Sequence, residues 1–194
     1  LFRSDGIQVR LLGVAKDDRR DLEKGIKKGL DADILLISGG VSVGDYDLVP
    51  EVLKGLGVKQ VFHKVKIKPG KPLFFGIKNK TIIFGVPGNP LAGFLAYLVF
   101  VRPALRKMQG SKNYYPVFQE GILNNSFGQQ ARRKHFVLSR ISKKLEQYYL
   151  SPLLSHGSAD VVSLSQADGF FIADKDIVTM KKNARVKFIT WKII

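Results

Sequence analysis

Apolar and polar positions follow two different rhythms along the chain, and the change between them divides it. In Ile7-Gln8-Val9-Arg10-Leu11-Leu12 they alternate as in a strand. Asp17-Asp18 then offers an N-cap, and Leu22, Ile26 and Leu30 recur at helical spacing, so a helix of about three turns is expected. Asp33-Ile34-Leu35-Leu36-Ile37 is a short apolar run of the kind a parallel strand covered on both faces needs. A Gly-rich loop follows at 38–44, and then a helix is predicted over 49–56. Strands are predicted over 58–67, 73–77 and 81–86, the last two joined by the turn Lys78-Asn79-Lys80. Pro87-Gly88-Asn89-Pro90 breaks the chain, and 91–108 reads as the longest apolar helix. This order of elements predicts an open, mostly parallel α/β sheet in three layers.

After Gly110-Ser111 no long helical period returns. Short alternating runs around 117–123, 134–141, 145–150, 169–173 and 184–191 predict a small all-β unit of barrel or sandwich type. The expected organisation is an α/β domain over 1–109 and a C-terminal β domain over 112–194, linked at Gly110. A hydrophobic fraction of 45% is enough to bury a core and argues against a disordered chain. The longest apolar run, 91–101, stops at Arg102-Pro103, short of the ~20 residues a membrane helix needs. No secretory leader is read in Leu1-Phe2-Arg3-Ser4-Asp5, and a start other than Met suggests a chain cut from something longer. Zero cysteines excludes disulfides, thiolate zinc sites and a Cys nucleophile, and fits a reducing, cytoplasmic setting.

Charge changes the picture more than composition does. Lys and Arg number 32 against 16 Asp and Glu, a formal net charge of +16. Between Glu51 and Glu120 there is no acidic residue, yet the stretch holds twelve Lys or Arg. Gathered by a fold, these make a positive field that favours an anion: a nucleic acid, a phosphorylated cofactor or an inorganic oxyanion. A solvated Lys-rich face would carry the same numbers.

Four loops carry candidate chemistry. Ser38-Gly39-Gly40-Val41-Ser42-Val43-Gly44-Asp45-Tyr46-Asp47 follows a buried strand and precedes a helix, where open α/β sheets bind ligands. Adjacent glycines let backbone amides approach a phosphate, and Asp45 and Asp47 could hold a divalent cation or a ribose hydroxyl. The plainer reading is a glycine turn with a capping Asp. Lys66-Ile67-Lys68-Pro69-Gly70-Lys71-Pro72 combines a fixed backbone with three lysines, which suggests ammonium groups held for an anion rather than a simple surface turn. Gly85-Val86-Pro87-Gly88-Asn89-Pro90 is a strand-to-helix turn whose helix start exposes unpaired N–H groups. Val14-Ala15-Lys16-Asp17-Asp18 is a second such junction, where an Asp is usually only a cap. His63, His135 and His156 show no i, i+4 pair, which argues against a histidine metal site. Ser42 has no His or Asp placed to make it a nucleophile. Paired aromatics such as Phe74-Phe75 and Phe170-Phe171 read as strand core.

Taken in order, Asp17-Asp18, the 38–47 loop, Ile67-Lys68-Pro69-Gly70-Lys71-Pro72 and Gly85-Val86-Pro87-Gly88-Asn89-Pro90 closely resemble the molybdopterin molybdenumtransferases (MoeA and the E domain of gephyrin). The resemblance continues through Arg133-Lys134-His135-Phe136, Ser155-His156-Gly157-Ser158 and Ser165-Gln166-Ala167-Asp168-Gly169. It implies insertion of molybdenum into adenylylated molybdopterin, with release of AMP assisted by a divalent cation such as Mg2+. Asp17 and Asp47 would be the functional carboxylates, Asp47 also placing the metal. Gly39, Gly40, Ser42, Asp45, Lys64, Lys68, Lys71, Pro87, Gly88, Asn89 and Pro90 would form the substrate-binding loops. Lys68, Lys71, Arg133 and Ser158 would hold molybdate. A cytoplasmic homodimer acting on small anionic substrates is implied as well.

Two departures qualify that resemblance. Ala92 stands where such enzymes often carry serine, so one hydroxyl contact to the oxyanion is missing. The Thr-Gly-Asp-Glu loop and the earlier domains are not in this sequence, which implies a carboxyl-terminal portion with an incomplete site. A non-catalytic binding or scaffold module of the same fold is the alternative. Nucleic-acid binding ranks lower because no recognised motif accompanies the charge. Adenylyl transfer by the sister family is disfavoured by Val41-Ser42-Val43-Gly44 and by the β unit, which that family lacks.

Overall fold

A computed structural model of the chain describes residues 5–41, 47–129, 132–154, 157 and 159–192. The first helix, α1 (Arg19–Lys27), starts where Asp18 accepts the Asp21 N–H at 2.9 Å, and buries Leu22 and Ile26. Strand β1 (Ile34–Ser38) leads through the glycine loop to α2 (Val49–Gly55). The next strands are β2 (Lys59–His63), β3 (Ile67–Lys68), β4 (Phe74–Lys78) and β5 (Thr81–Val86). A four-stranded sheet has the order β1-β5-β4-β2. β1 and β5 are parallel, whereas β4–β5 and β2–β4 are antiparallel. The sheet is therefore mixed rather than mostly parallel as expected, because the turn through Asn79 (φ 53°) folds β4 onto β5 as a hairpin.

Helices α1 and α2 cover one face of this sheet, packing Leu22, Ile26 and Leu53 on Leu35, Phe74 and Ile83. The other face takes α3 (Pro90–Ala96) and α4 (Arg102–Met108), joined by wider π turns over Tyr97–Val101. The Arg102 N–H reaches back to the Tyr97 carbonyl there, which relieves the helix around Pro103, a residue with no N–H to give.

The second half contains β6 (Gln119–Leu123), β7 (Phe127–Gly128), β8 (Lys134–Lys144), β9 (Gln147–Pro152), α5 (Val161–Gln166), β10 (Gly169–Ala173), β11 (Thr179–Met180) and β12 (Arg185–Thr190). The order β10-β12-β6-β9-β8 closes through a β10–β8 pairing, giving a five-stranded barrel. Its interior is filled by Leu123, Val137, Leu150, Phe171 and Phe188. Closure is tight at Gly169, where a Cβ would stand 2.4 Å from the Ile189 carbonyl oxygen. An α/β unit followed by a β barrel is the architecture the two rhythms predict. The core runs between them: Phe84, Leu91 and Leu95 share one cluster with Phe136, Phe170 and Ile189.

Two further expectations need correction. Residues 7–12 form no strand, and Leu11 is 84% exposed. Alternation makes a strand only where a neighbour supplies the ladder, and among the described residues β1 is paired on one side only. Arg10 instead ties this segment to Asp31 and to the Lys28 carbonyl. The single strand expected over 58–67 is broken at Lys64, which has φ 86°, a region non-glycine residues rarely adopt. Beyond the break the chain leaves the first sheet, and β3 pairs parallel with β8 of the barrel.

Candidate functional site

Gly39 and Gly40 sit consecutively at φ 90° and 64°, conformations that favour glycine. The Gly39 N–H donates to the Val86 carbonyl at 3.0 Å, and a Cβ on Gly88 would lie 3.4 Å from the Gly39 Cα. The loop after β1 and the turn after β5 are thus in backbone contact. His63 closes the third side: its Nε2–H donates to the Val41 carbonyl at 2.8 Å, a tautomer fixed because a carbonyl only accepts. Pro87 is buried beneath this corner, while Gly88, Asn89 and Pro90 are exposed around it. Asp47 is half-buried just ahead of α2. Asp17 is exposed beside the cap of α1, and Arg19 pairs with Glu51 across the starts of the two helices. Ser42 and Asp45 lie outside the described residues.

The lysine loop is built differently. The Lys64 N–H donates to the Leu73 carbonyl and the Val65 N–H to the Lys71 carbonyl, both at 2.9 Å, so the loop is closed at its base. Its tip is held by the barrel. Register places Lys68 opposite His135, the Lys134 N–H donates to the Lys66 carbonyl at 3.2 Å, and Arg133 donates through Nη1 to the Ile67 carbonyl at 3.1 Å. Lys68 and Lys71 are exposed, as is Lys64. On its other side the loop meets α3: a Cβ on Gly70 would be 3.6 Å from the Ala92 carbonyl oxygen and 3.8 Å from its Cβ. Ala92 is buried at this contact, so the side chain at that position abuts the lysine loop.

His135, read in the sequence only as an unpaired histidine and as part of the 133–136 run, belongs to this cluster. Burial, together with the cations of Lys68 and Arg133, pushes its imidazolium down to about 4, so the ring is neutral beside two fixed charges. No acidic residue lies within the 52–119 stretch to offset them. One acid from elsewhere, Asp174, pairs with Lys134 at 3.5 Å.

The fold therefore assembles two corners. Gly39, Gly40, Val41, Pro87 and Gly88 form one from backbone; Lys68, Arg133 and His135 form the other from side chains. The Gly70–Ala92 contact and the turn leading into α3 join them. Ser158 lies outside the described residues. Among the described residues no cluster of three His, Asp or Glu is poised to hold a metal by protein groups alone. Nor is any described helix long and apolar enough to cross a membrane. His63 and Gln129 also escaped the sequence reading. Their only local signal is a polar side chain within an apolar strand or beside a short one.

Residues 1–107 match the family model of a "Probable molybdopterin binding domain", and residues 120–191 match the MoeA C-terminal region (domain IV). A molybdopterin molybdenumtransferase of Nostoc sp. is 31% identical, with the match covering 93% of this chain and 45% of that protein. One from Staphylococcus epidermidis is 28% identical over 89% of this chain and 41% of its own length. The chain thus spans less than half the length of these curated relatives. Among solved structures, a molybdopterin biosynthesis MoeA protein from Pyrococcus horikoshii superposes with a TM-score of 0.77 at 27% identity, covering 94% of this chain and 44% of that one.

Proposed function

The chain belongs to the molybdopterin-binding family, and from that premise we propose that it forms part of an enzyme that inserts molybdenum into adenylylated molybdopterin, releasing AMP. What supports this most is one observation: the β3–β8 pairing brings Lys68 and Arg133 together from opposite halves of the chain. Two cations on a backbone fixed from both sides suit a tetrahedral oxyanion, and molybdate is the oxyanion this reaction consumes.

In this reading the Lys66–Pro72 loop, through Lys68 and Lys71, receives molybdate from one side while Arg133 and Ser158 receive it from the other. The Gly39–Gly40 turn, whose Gly39 N–H is given to the Val86 carbonyl, presents the Gly40 amide with Ser42 and Asp45 to the phosphates of the adenylylated pterin, and Lys64 adds positive charge nearby. Pro87, Gly88, Asn89 and Pro90 shape the wall between the two ligands. Asp17 and Asp47 assist hydrolysis of the phosphate anhydride. A hard cation such as Mg2+ keeps several waters and needs only one or two carboxylates beside substrate phosphates, so Asp47 with Asp45 is a suitable donor set. When bound, that cation would neutralise charge on the anhydride. The reading carries a cytoplasmic homodimer with it.

The discriminating experiment replaces Lys68 and Lys71 together by Ala and titrates each ligand against the variant and the parent chain. Molybdate affinity should fall about tenfold or more, and adenylylated molybdopterin affinity far less. Equal losses would reduce the lysines to a general electrostatic attraction, and unchanged molybdate affinity would remove them from the site.

A further inference from the structure

Gln129 is buried, and its side-chain amide is fixed without ambiguity. Its Nε2 donates to the carbonyls of Asp174 and Ile177, both at 2.9 Å, which turns Oε1 towards His135 Nδ1 at 3.0 Å. An amide oxygen only accepts, so Nδ1 carries the proton and the neutral ring keeps its lone pair on Nε2. The ring is half-buried, with Phe127 5.9 Å away on one side. The charged groups around it come from each element it meets: Lys68 from β3, Arg133 just ahead of β8, Lys134 from β8, and Asp174 after β10, already paired with Lys134. The site proposed for an anion thus holds, opposite Lys68, a titratable group braced in one orientation.

We propose that His135 couples oxyanion binding to proton uptake: when an anion arrives at Lys68 and Arg133, the ring takes a proton on Nε2 and becomes a third cation of the site. This rests on the oxyanion reading above and adds to it a source of pH control. The physical reason is the reversal of the local field. Without an anion, burial first and then Lys68 and Arg133 oppose a charge on the ring. A bound dianion favours that charge, and Gln129 accepts from Nδ1–H in either state, so the ring need not turn. The bond balance is one proton taken from solvent per anion bound at a pH between the free and the bound titration points.

Inorganic sulfate is the probe, because it stays doubly ionised across the range. It is titrated into the full chain calorimetrically at about pH 5.5 and about pH 8, in two buffers of different ionisation enthalpy. The expected result is several-fold tighter binding at the lower pH, bounded by about tenfold per pH unit, with up to one proton taken up there. In parallel, the His135 ring nitrogens are followed by NMR with and without sulfate in the unaltered chain, and the titration point should move upwards when sulfate is present. His135→Asn keeps a donor for Gln129 but cannot titrate. In it the difference in sulfate affinity between the two pH values should vanish, together with the proton uptake. A ring that titrates at the same pH with and without sulfate would overturn the proposal, as would an undiminished pH response in His135→Asn. Sulfate binding that ignores pH would overturn it while leaving the oxyanion site standing. No sulfate binding at either pH would overturn both.

Discussion

On the reading proposed above, the two corners of the candidate site meet the same problem, an anion in a protein, with different materials. At Gly39–Gly40 the charge on offer is the partial charge of the Gly40 amide, since the Gly39 N–H is given to Val86, and the geometry is held by contacts too close for side chains: a Cβ on Gly40 would stand 2.8 Å from Val49. At Lys68–Arg133 the charge is whole, and the geometry is held by strand pairing between segments 66 residues apart. A glycine corner can approach a ligand closely and stays the same at every pH. A cation corner reaches further, responds to salt, and here includes a group that can change charge. The difference suits the two ligands proposed for them, an extended phosphoanhydride and a compact oxyanion.

The comparison can be broken at four points, taken from the strongest expected effect downwards. Asp47→Asn should remove turnover in the complete enzyme by on the order of 10²-fold or more while leaving thermal unfolding nearly unchanged. Retained activity would take the carboxylate out of the chemistry. Gly40→Ala adds both a strained φ and a clash with Val49, so chemical denaturation should show a loss of roughly 1–3 kcal/mol. Binding of adenylylated molybdopterin should weaken in the same variant while molybdate binding holds. If both ligands are lost together, the corners are not separable.

The third concerns pH and the empty site. His135 is held neutral in the fold, so its folded titration point, about 4, lies below that of an unfolded histidine. The unfolded chain then binds more protons between about pH 6.5 and about pH 4, and stability falls as pH falls through that window. Because the ring is partly exposed and screened, the loss should be about 1–2 kcal/mol. His135→Asn should lack that component, which urea melts across the window would show. The smallest effect is expected from Arg133→Lys: a point charge remains but the guanidinium and its Nη1 bond to the Ile67 carbonyl are lost, so molybdate affinity should drop only a few-fold.

How far the sequence exposed these corners follows from what each is made of. Gly39-Gly40 and Pro87-Gly88 are legible because left-handed and close-approach positions demand particular residues, and those residues stand out in a row of ten. The barrel strands are legible because a closed sheet forces alternation on each strand separately, and β10 is found where the 169–173 run places it. Residues 7–12 mislead for the complementary reason: alternation states a willingness to pair and says nothing about whether a neighbour is there. The departure of β3 from the first sheet turns on one backbone angle at Lys64, a residue type with no preference for it. His135 was hidden because its role depends on Gln129 and Lys68, and strand pairing with a segment far away in sequence leaves no local trace.

The central claim is that one tetrahedral oxyanion is held between the Lys66–Pro72 loop and β8. Crystals of the full chain soaked in molybdate and measured at the molybdenum absorption edge test it without reference to turnover. The account predicts an anomalous peak in hydrogen-bonding reach of the Lys68 ammonium and the Arg133 guanidinium, and its disappearance in the Lys68, Lys71 double alanine variant. A peak settled at the Gly39–Gly40 corner instead, or one at Lys68 that survives in the double variant, would contradict it.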